Sequence, residues 1–504
     1  MRNVHFGFKN LKVKYGLLLL VTLCNIHAFC QTFNGPLRLN PENRRYFTDK
    51  SGKAIYLTGS HTWANFQEAG LPTDSLFEWS KYLEMMKANN HNFMKFWVWE
   101  QAKLGSWSNE KIVFSPMPYQ QITQNDKVKF DLSKWNPAYF TRLRQRILEA
   151  GKQGIYVSVM LFQGWSQQKE KIAAGNPWLC HPFNPENNIN GIGKQVTDNK
   201  EDDAQKGTLH SVKNGDVLKQ QEAYVKKVIE TINDLDNILF EIINEGGTKE
   251  WQYHIINFIK KTEKTFPKQH PVGMSHAVVV KPLMWNQDLI ESPADWIAPS
   301  EEPFTWDYPK SIKTTDYQLK IQPNSTKRVT ILDTDHLWGC GGNYQWVWKS
   351  FLQGYNPIFM DPWQSFPHAD TVGIKWLSPC LYEREYPAYK LIRQNMGETR
   401  RFSKRIELGK SEPSPALSSS GFCLAQPNVS YVSWANAGVY LTINLRNTSG
   451  TFLVEWFNPL TLETKTATPI QGGDFLVLKP PFETESVLFL KKKILGNTAK
   501  KGDL

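Results

Sequence analysis

The sequence of 504 residues has few cysteines and, past residue 30, no long apolar run. Two of its six cysteines lie near the N-terminus; the scattered remainder are Cys180, Cys340, Cys380 and Cys423. No Cys-x-x-Cys pair indicates zinc, and the spacing allows one or two disulfides or free thiols alike. Because no later segment approaches the roughly 20 apolar residues of a membrane helix, we expect no membrane span.

The sequence also lacks the motifs of nucleic-acid binding. The formal net charge is +11, but no basic stripe alternates with aromatic residues, so we expect no nucleic-acid partner. The short runs 491–493 and 400–401 are typical of a solvated surface. The charge gives only weak support for an acidic partner such as a uronic-acid polysaccharide.

The N-terminus has the layout of a signal peptide. Four basic residues precede an apolar run over 16–24, and Ala28-Phe-Cys30 supplies a small-x-small cleavage pattern. The apolar run is too short to span a bilayer. We therefore predict a signal peptide at 1–30 and a mature protein exported to the periplasm or the extracellular space.

Aromatic residues are abundant where cysteines are few. They make up 13% of the chain and include 19 tryptophans. Flat indole rings stack on the apolar faces of pyranose sugars, so the excess favours a carbohydrate partner, although packing in a large core is the alternative. The length predicts one large and one smaller domain.

Strand-like and helix-like segments alternate through the first four-fifths of the chain and predict a (β/α)₈ barrel of parallel strands. The predicted domain is 31–403 with an N-terminal hairpin; its strands are 54–59, 92–100, 155–162, 238–243, 272–278, 295–302, 328–336 and 356–363. Long loops over 101–133 and after the third strand fall on the C-terminal face, where barrel active sites are built. Short alternating strands over 404–493 predict a β-sandwich, followed by a tail at 494–504.

Carboxyl groups end two strands that are nearly opposite each other across this barrel. Asn244 and Glu245 end the fourth strand, and Asp333 and Asp335 end the seventh. Glycoside hydrolysis needs two carboxyl groups, about 5–5.5 Å apart when the configuration is retained. In an extended strand Asp333 and Asp335 share a face, so both are expected to point inward, with Asp333 as a supporting or sugar-binding residue. Glu241 lies deeper on the face of Glu245, where a structural salt bridge is expected.

Histidines and tryptophans also gather at predicted strand ends, where contacts to sugar hydroxyls and sugar faces are expected. For any single residue a place in the core is the alternative. The candidates for substrate binding are His61, Trp63, Trp99, His276, His336 and Trp363, with Trp97 and Trp338 in similar positions. The histidines and aspartates include zinc-ligand types, but no His-x-His or His-Glu-x-x-His spacing supports a metal, and we expect no cofactor.

Three stretches resemble a known family. Pro36-Leu-Arg-Leu-Asn, Arg45-Tyr-Phe-Thr-Asp and Tyr56-Leu-Thr-Gly-Ser-His-Thr-Trp63, followed by Asn244-Glu245, resemble the apiosidase-like group of clan A glycoside hydrolases. Val454-Glu-Trp-Phe-Asn-Pro459 is similar to the sandwich of collagen-binding type that follows such barrels; packing against the barrel is the alternative role.

The resemblance implies roles for individual residues. Glu245 would be the acid/base, and Asn244 would bind the sugar 2-hydroxyl. The family has Asp-x-Glu at strand seven, whereas this chain has Asp333-Thr-Asp335, so the position of the nucleophile holds a carboxylate shorter by one methylene. If the gap widens enough to admit water, inversion becomes possible.

The sequence therefore predicts an exported glycosidase acting on a polysaccharide or oligosaccharide, with Glu245 as acid/base and Asp335 as nucleophile. Asp333, Glu301 and Glu302 remain alternative nucleophiles. Two other functions stay open: a metal-dependent hydrolase on the same barrel, and a glycan-binding protein without catalysis.

Overall fold

The computed structural model of the protein describes residues 33–70, 76–103, 112–125, 127–167, 177–194, 196, 209–276, 286–300, 323–326, 328–337, 342–363 and 387–493. The predicted signal peptide and the C-terminal tail lie outside these residues. No helix of the described stretches is long and apolar enough to cross a membrane.

Eight parallel strands close into a barrel, which confirms the predicted fold. In chain order they are β1 Gly59–His61, β2 Phe93–Phe96, β3 Tyr156–Gln163, β4 Ile238–Asn244, β5 Val272–Ser275, β6 Trp296–Ala298, β7 Val329–Asp333 and β8 Asn356–Met360. Each strand pairs with the next, and β8 closes on β1 with Met360 opposite His61. All seven residues of β4 are buried, as expected for a strand covered by helices on one face and by the barrel core on the other.

Several barrel strands, β1 and β2 among them, are shorter than their apolar patterns predict, whereas β3 and β4 are not. The first predicted strand, 54–59, divides between two sheets: Ala54–Ile55 pairs with Phe47–Thr48 in a small antiparallel sheet that also holds Arg38–Leu39. The barrel strand begins only at Gly59. A Cβ atom on Gly59 would lie 1.8 Å from the carbonyl oxygen of Phe93, so only glycine permits this close approach of β1 and β2.

Helices surround the barrel. They are α1 Trp79–Ala88, α2 Pro137–Lys152, α3 Gly215–Ile232, α4 Lys249–Glu263, α5 Asn286–Glu291, α6 Tyr344–Leu352 and α7 Pro387–Ser403. The side chain of Thr248 caps α4 by accepting a hydrogen bond from the amide of Trp251 at 3.3 Å, which starts the helix directly after the Glu245 turn. Short 3₁₀ turns cover Gly164–Gln167, Pro177–Cys180, Pro185–Asn187, Thr334–His336, Leu408–Lys410 and Pro415–Leu417.

The predicted loop over 101–133 is in part β-structure. Val113–Ser115 pairs with Glu68–Gly70, and Tyr119–Gln124 forms a hairpin with Lys127–Trp135. The expectation of a loop was wrong here because the segment is polar overall. Phe130 and Leu132 nevertheless alternate with polar neighbours and are buried, which is the period of a half-buried strand.

The C-terminal part is an antiparallel sandwich, as predicted. A six-stranded sheet holds, in spatial order, Glu412–Pro413, Cys423–Gln426, Ser430–Ala435, Ser486–Lys492, Thr451–Phe457 and Thr464–Gln471, and a second sheet pairs Leu441–Asn444 with Phe475–Leu478. The large sheet packs against the barrel: Trp348 of α6 lies 5.0 Å from Phe402 of α7 and 5.5 Å from Phe457 of the sheet, between ring centroids. Cys423, in the large sheet, is a buried free thiol.

Candidate active site

The end of β4 delivers Glu245 in an unusual backbone conformation. Its φ angle is 53°, in the left-handed region that residues other than glycine seldom adopt and that is common at functional sites. The adjoining backbone is held tightly: a Cβ atom on Gly164 would lie 2.4 Å from both the carbonyl oxygen of Glu245 and the Cα of Gly246. The loop after β3 therefore clamps the turn that carries Glu245.

The end of β7 differs from the extended strand that the sequence predicts. The strand stops at Asp333, and Thr334–His336 forms a 3₁₀ turn. The side chain of Asp333 caps this turn by accepting a hydrogen bond from the amide of Asp335 at 3.0 Å. Strand alternation therefore does not place Asp335; the cap does, because it turns the chain back over Asp333.

Asp333 is the buried centre of the site. Its Oδ1 accepts hydrogen bonds from His61 Nε2 at 2.8 Å and from the Asp335 amide, and its Oδ2 accepts one from Lys95 Nζ at 3.2 Å. Its side chain is 2% exposed. Burial alone would raise the pKa of Asp333, but His61 and Lys95 hold that pKa well below its usual range. Asp333 is therefore a fixed negative charge that joins β1, β2 and β7.

Asn244 links β4 to the end of β7. Its Oδ1 accepts hydrogen bonds from Lys95 Nζ at 3.0 Å and from His336 Nε2 at 2.8 Å, and its Nδ2 donates to Asp335 Oδ2 at 3.2 Å. Because the Lys95 ammonium can only donate, Oδ1 must face it and the amide has one orientation, which makes His336 Nε2 the donor of the second bond. Burial lowers the pKa of His336 to about 3, so this histidine is neutral and carries its proton on Nε2.

The two aspartates titrate far apart. Burial, together with the charge of Asp333, raises the pKa of Asp335 to about 6. The side chain of Asp335 remains 9% exposed. A buried anionic neighbour and a partly exposed partner of raised pKa are typical of acid–base chemistry.

Lys95 is a site residue that the sequence argument does not identify. Besides Asp333 and Asn244, it pairs with Glu241 at 3.0 Å, with side-chain exposures of 3% and 1%. This confirms the predicted structural salt bridge of Glu241. Although burial acts to lower it, these carboxylates hold the pKa of Lys95 above its usual value. A lone lysine in the apolar run Phe93-Met-Lys-Phe96 was the available signal, because a charge in a buried strand requires a partner.

The predicted aromatic contacts differ in their surroundings. Trp97 stacks on His61 with ring centroids 5.2 Å apart, and Trp99 stacks on Phe114 at 4.5 Å. Both indoles are buried, as is Trp363, whereas Trp63 is partly exposed. Of the four tryptophans, Trp63 is therefore the one best placed to stack on a sugar face.

The remaining predicted residues divide between the site and the undescribed parts of the chain. His276 is buried just after β5, and its amide bonds to the carbonyl oxygen of Ala298 at 3.0 Å. The alternative nucleophiles Glu301 and Glu302, together with Trp338, lie outside the described residues. Within the stretches that the structure describes, no three histidine, cysteine or acidic side chains are grouped as metal ligands.

The closed barrel and the carboxyl groups at the ends of β4 and β7 agree with what the resemblance of the sequence to clan A glycoside hydrolases implies. Residues 41–197 match the model of the family described as "Apiosidase-like, catalytic domain". This match to a catalytic domain, on this fold, indicates an enzyme of the glycosidase class.

Solved structures share the fold. One described as a glycoside hydrolase has a TM-score of 0.53 and 13% identity, and the alignment covers 91% of this chain and 97% of the other. A glycoside hydrolase family 5 protein from Bacteroides vulgatus has a TM-score of 0.54 and 14% identity, over 91% and 94% of the two chains. Curated protein sequences gave no match.

Proposed function

We propose that the protein is a glycoside hydrolase whose reacting carboxyl groups belong to Glu245 and Asp335. The supporting observation is a difference in exposure among the acidic residues of the barrel mouth. Asp333 and Glu241 are buried in ion pairs with Lys95, whereas Glu245 and Asp335 are partly exposed. Only a carboxyl group that a substrate can reach is able to exchange a proton or form a bond with it.

The proposed reaction is a double displacement. Glu245 gives its proton to the leaving oxygen while a carboxylate oxygen of Asp335 attacks the anomeric carbon, so that the glycosidic bond breaks and a glycosyl ester forms. Water then attacks the same carbon and releases Asp335, and the proton of that water passes to Glu245. The first step leaves Glu245 deprotonated and Asp335 esterified; the second step returns both groups to their starting states, and water is the only reactant besides the substrate.

The contacts of the two aspartates favour Asp335 over Asp333 as the nucleophile. Asp333 accepts three hydrogen bonds from buried donors. Two of these donors are the side chains of His61 and Lys95, and the third is the amide of Asp335. An anion held in this way is a poor nucleophile, because attack would require these bonds to break in a buried site. Among the residues that the structure describes, the side chain of Asp335 has one donor at bonding distance, Asn244 Nδ2, which binds its Oδ2.

The neighbours of Asp335 also suit a carboxylate that alternates between an anion and an ester. Asn244 and the neutral His336 lie beside it. The ammonium of Lys95 binds Asn244 and Asp333 deeper in the barrel, and its positive charge stabilises the negative charge of the two aspartates. These neighbours hold the carboxyl group of Asp335 in place without forming a direct ion pair with it, which agrees with the raised pKa of Asp335.

Glutamine at position 245 tests the assignment of the acid/base. We expect Glu245→Gln to lower the turnover of substrates with poor leaving groups by about 10²–10⁴-fold, the range that general acid catalysis supplies, and to spare binding. The matched control is Glu250→Gln, an exposed change in the first turn of the adjoining helix α4. Turnover by Glu245→Gln equal to that of the control would remove Glu245 from the mechanism.

The substrate class follows from the reaction, and a panel of glycosides identifies the sugar. The name of the matched family makes an aryl apioside one useful member, beside aryl glycosides of common pyranoses and plant polysaccharides. Reading the anomeric configuration of the first product by NMR tests retention. Retained configuration supports the covalent step on Asp335, and inversion would indicate that the shorter side chain admits a water molecule instead.

Export and the role of the sandwich are part of the proposal. The basic start, the apolar run and the small-x-small pattern support cleavage after residue 30, and N-terminal sequencing of the secreted protein tests it. Contacts such as the ion pair of Arg405 with Glu455 at 2.6 Å, and the bond from Asn395 to the carbonyl of Pro459 at 2.9 Å, support a sandwich that braces α7.

A further inference from the structure

A second charged cluster lies beside the proposed catalytic pair. Glu100 follows β2, and its Oε1 accepts hydrogen bonds from the Gln163 amide at 2.6 Å and from His210 Nε2 at 2.9 Å. Its Oε2 lies 3.5 Å from His181 Nε2. Both histidines are at most 2% exposed at the side chain and Glu100 is 9% exposed. A carboxylate with these partners joins three segments that are distant in the sequence.

Two of those segments touch the turn that carries Glu245. Gln163 pairs with Asn244 in the β3–β4 register, and the next residue, Gly164, makes the close backbone approach to Glu245. On the other side, the carbonyl oxygen of His210 accepts a hydrogen bond from the amide of Thr248 at 3.0 Å. The backbone on either side of the turn is therefore tied to one carboxylate oxygen of Glu100.

The chemistry of the cluster suits a permanent clamp. Burial acts to raise the pKa of Glu100, but His210 and His181 lower it to about 2, so the group stays ionised at any working pH. The ring of His210 packs edge-on against Trp251 of α4 at 5.0 Å and Phe162 of β3 at 5.8 Å. Charge-assisted bonds to an ionised acceptor are roughly twice as strong as neutral ones.

We propose that Glu100 is a positioning residue, which holds the turn of Glu245 in place through Gln163 and His210. The inference rests on the proposed role of Glu245 as acid/base. Glu100 itself does not touch the reacting atoms. Its contribution is to keep the left-handed backbone at Glu245 in the conformation that aims the carboxyl group, because a residue with that φ angle relaxes when its surroundings loosen.

The variant Glu100→Gln tests the inference because it keeps the shape of the side chain and removes its charge. The matched control is Glu263→Gln: Glu263 is buried and also pairs with a histidine, His270, at 2.7 Å, but it lies at the opposite end of the barrel, before β5. A second test variant, His210→Phe, keeps a ring between Phe162 and Trp251 and removes the donor.

Two measurements separate positioning from general stability. In hydrogen exchange, we expect the amides of Gly246–Thr248 to exchange about tenfold faster or more in both test variants, the scale of a lost charge-assisted bond, and to be unchanged in the control. On aryl glycosides of the sugar that the wild type hydrolyses, we expect the test variants to lose more activity on the phenyl than on the 2,4-dinitrophenyl glycoside, since only the former needs a well-placed acid.

The outcomes are distinguishable. The positioning role would be overturned if the amides of 246–248 exchange in Glu100→Gln at the wild-type rate. It would also be overturned if Glu100→Gln, like Glu263→Gln, loses the same factor of activity on the phenyl and the dinitrophenyl glycoside. Failure of both test variants to fold, while the control folds with normal exchange, would overturn it as well. Glu245→Gln run on the same two glycosides checks the foundation. If that variant shows no dependence on the leaving group, the proposed function fails, whatever the exchange experiment shows for Glu100.

Discussion

Replacing Lys95 by methionine removes the cation shared by the buried acidic residues. Lys95 Nζ lies 3.0 Å from Glu241 and 3.2 Å from Asp333, and the lysine side chain is 3% exposed. Methionine has a similar length but leaves two buried carboxylates without the cation that they share. Removing one member of a buried pair costs about 3–5 kcal/mol, so we expect the free energy of unfolding at pH 7 to fall by at least this amount.

The loss should depend on pH with a definite sign. Because the pKa of Asp333 is lower in the folded than in the unfolded protein, its ionisation stabilises the fold. This contribution is complete at pH values above the pKa of an unfolded Asp, about 3.9. In the variant the unpaired carboxylates take up protons more readily, so the difference in stability from the wild type should narrow as the pH falls from 7 to 5. The charge of Lys95 also lowers the pKa of Asp335, so the acidic limb of kcat/KM should move to higher pH in the variant.

Urea denaturation followed by tryptophan fluorescence measures the stability, with Lys81→Met as the control. Lys81 is 60% exposed and pairs with Glu78 on the surface of α1, where such a pair contributes about 0.5 kcal/mol or less. A Lys95→Met protein as stable as the control at pH 7 would refute the reasoning, because it would show that the buried cluster does not depend on its cation.

Three further predictions concern the proposed catalytic pair. Since Asp335 must be ionised to attack and its pKa is about 6, kcat/KM should fall about tenfold per pH unit below that value; a flat profile from pH 4 to 7 contradicts the role. Asp335→Asn should abolish nearly all turnover, whereas Asp335→Glu, which restores the family length, should keep a measurable part with retained configuration; equal activity of the two would exclude a nucleophile here. Gly164→Ala brings a Cβ atom within 2.4 Å of the Glu245 carbonyl and should lower kcat and cost about 1–3 kcal/mol, while Gly215→Ala, with open space around it, should do neither.

Much of the barrel is predictable from the sequence because its strands are apolar runs between helical patterns. The run Ile238–Asn244 fixes β4, and with it the place of Glu245 at the mouth. Counting strands then sets β7 nearly opposite β4. These inferences use only local periodicity and the rule that parallel strands end on one face.

The contacts within the site are not predictable in the same way, because they depend on which strands become neighbours. Lys95 and Glu100 belong to one short segment of β2 and its exit, yet they pair with residues more than 60 positions away, such as Asp333 and His210. The turn at Asp335 was also beyond the strand pattern, since a side-chain cap rather than alternation determines it. Local patterns therefore locate the candidates, and tertiary contacts decide their roles.

The identity of the nucleophile is the central claim, and a trapped intermediate tests it most directly. Incubation with a 2-fluoro glycosyl fluoride of the sugar that the protein hydrolyses slows the release of a glycosyl ester, and tandem mass spectrometry of the digested protein then locates the label. We predict one sugar per chain, attached to Asp335. A label on Asp333, Glu301 or Glu302, or hydrolysis with inversion and no label, would contradict the assignment.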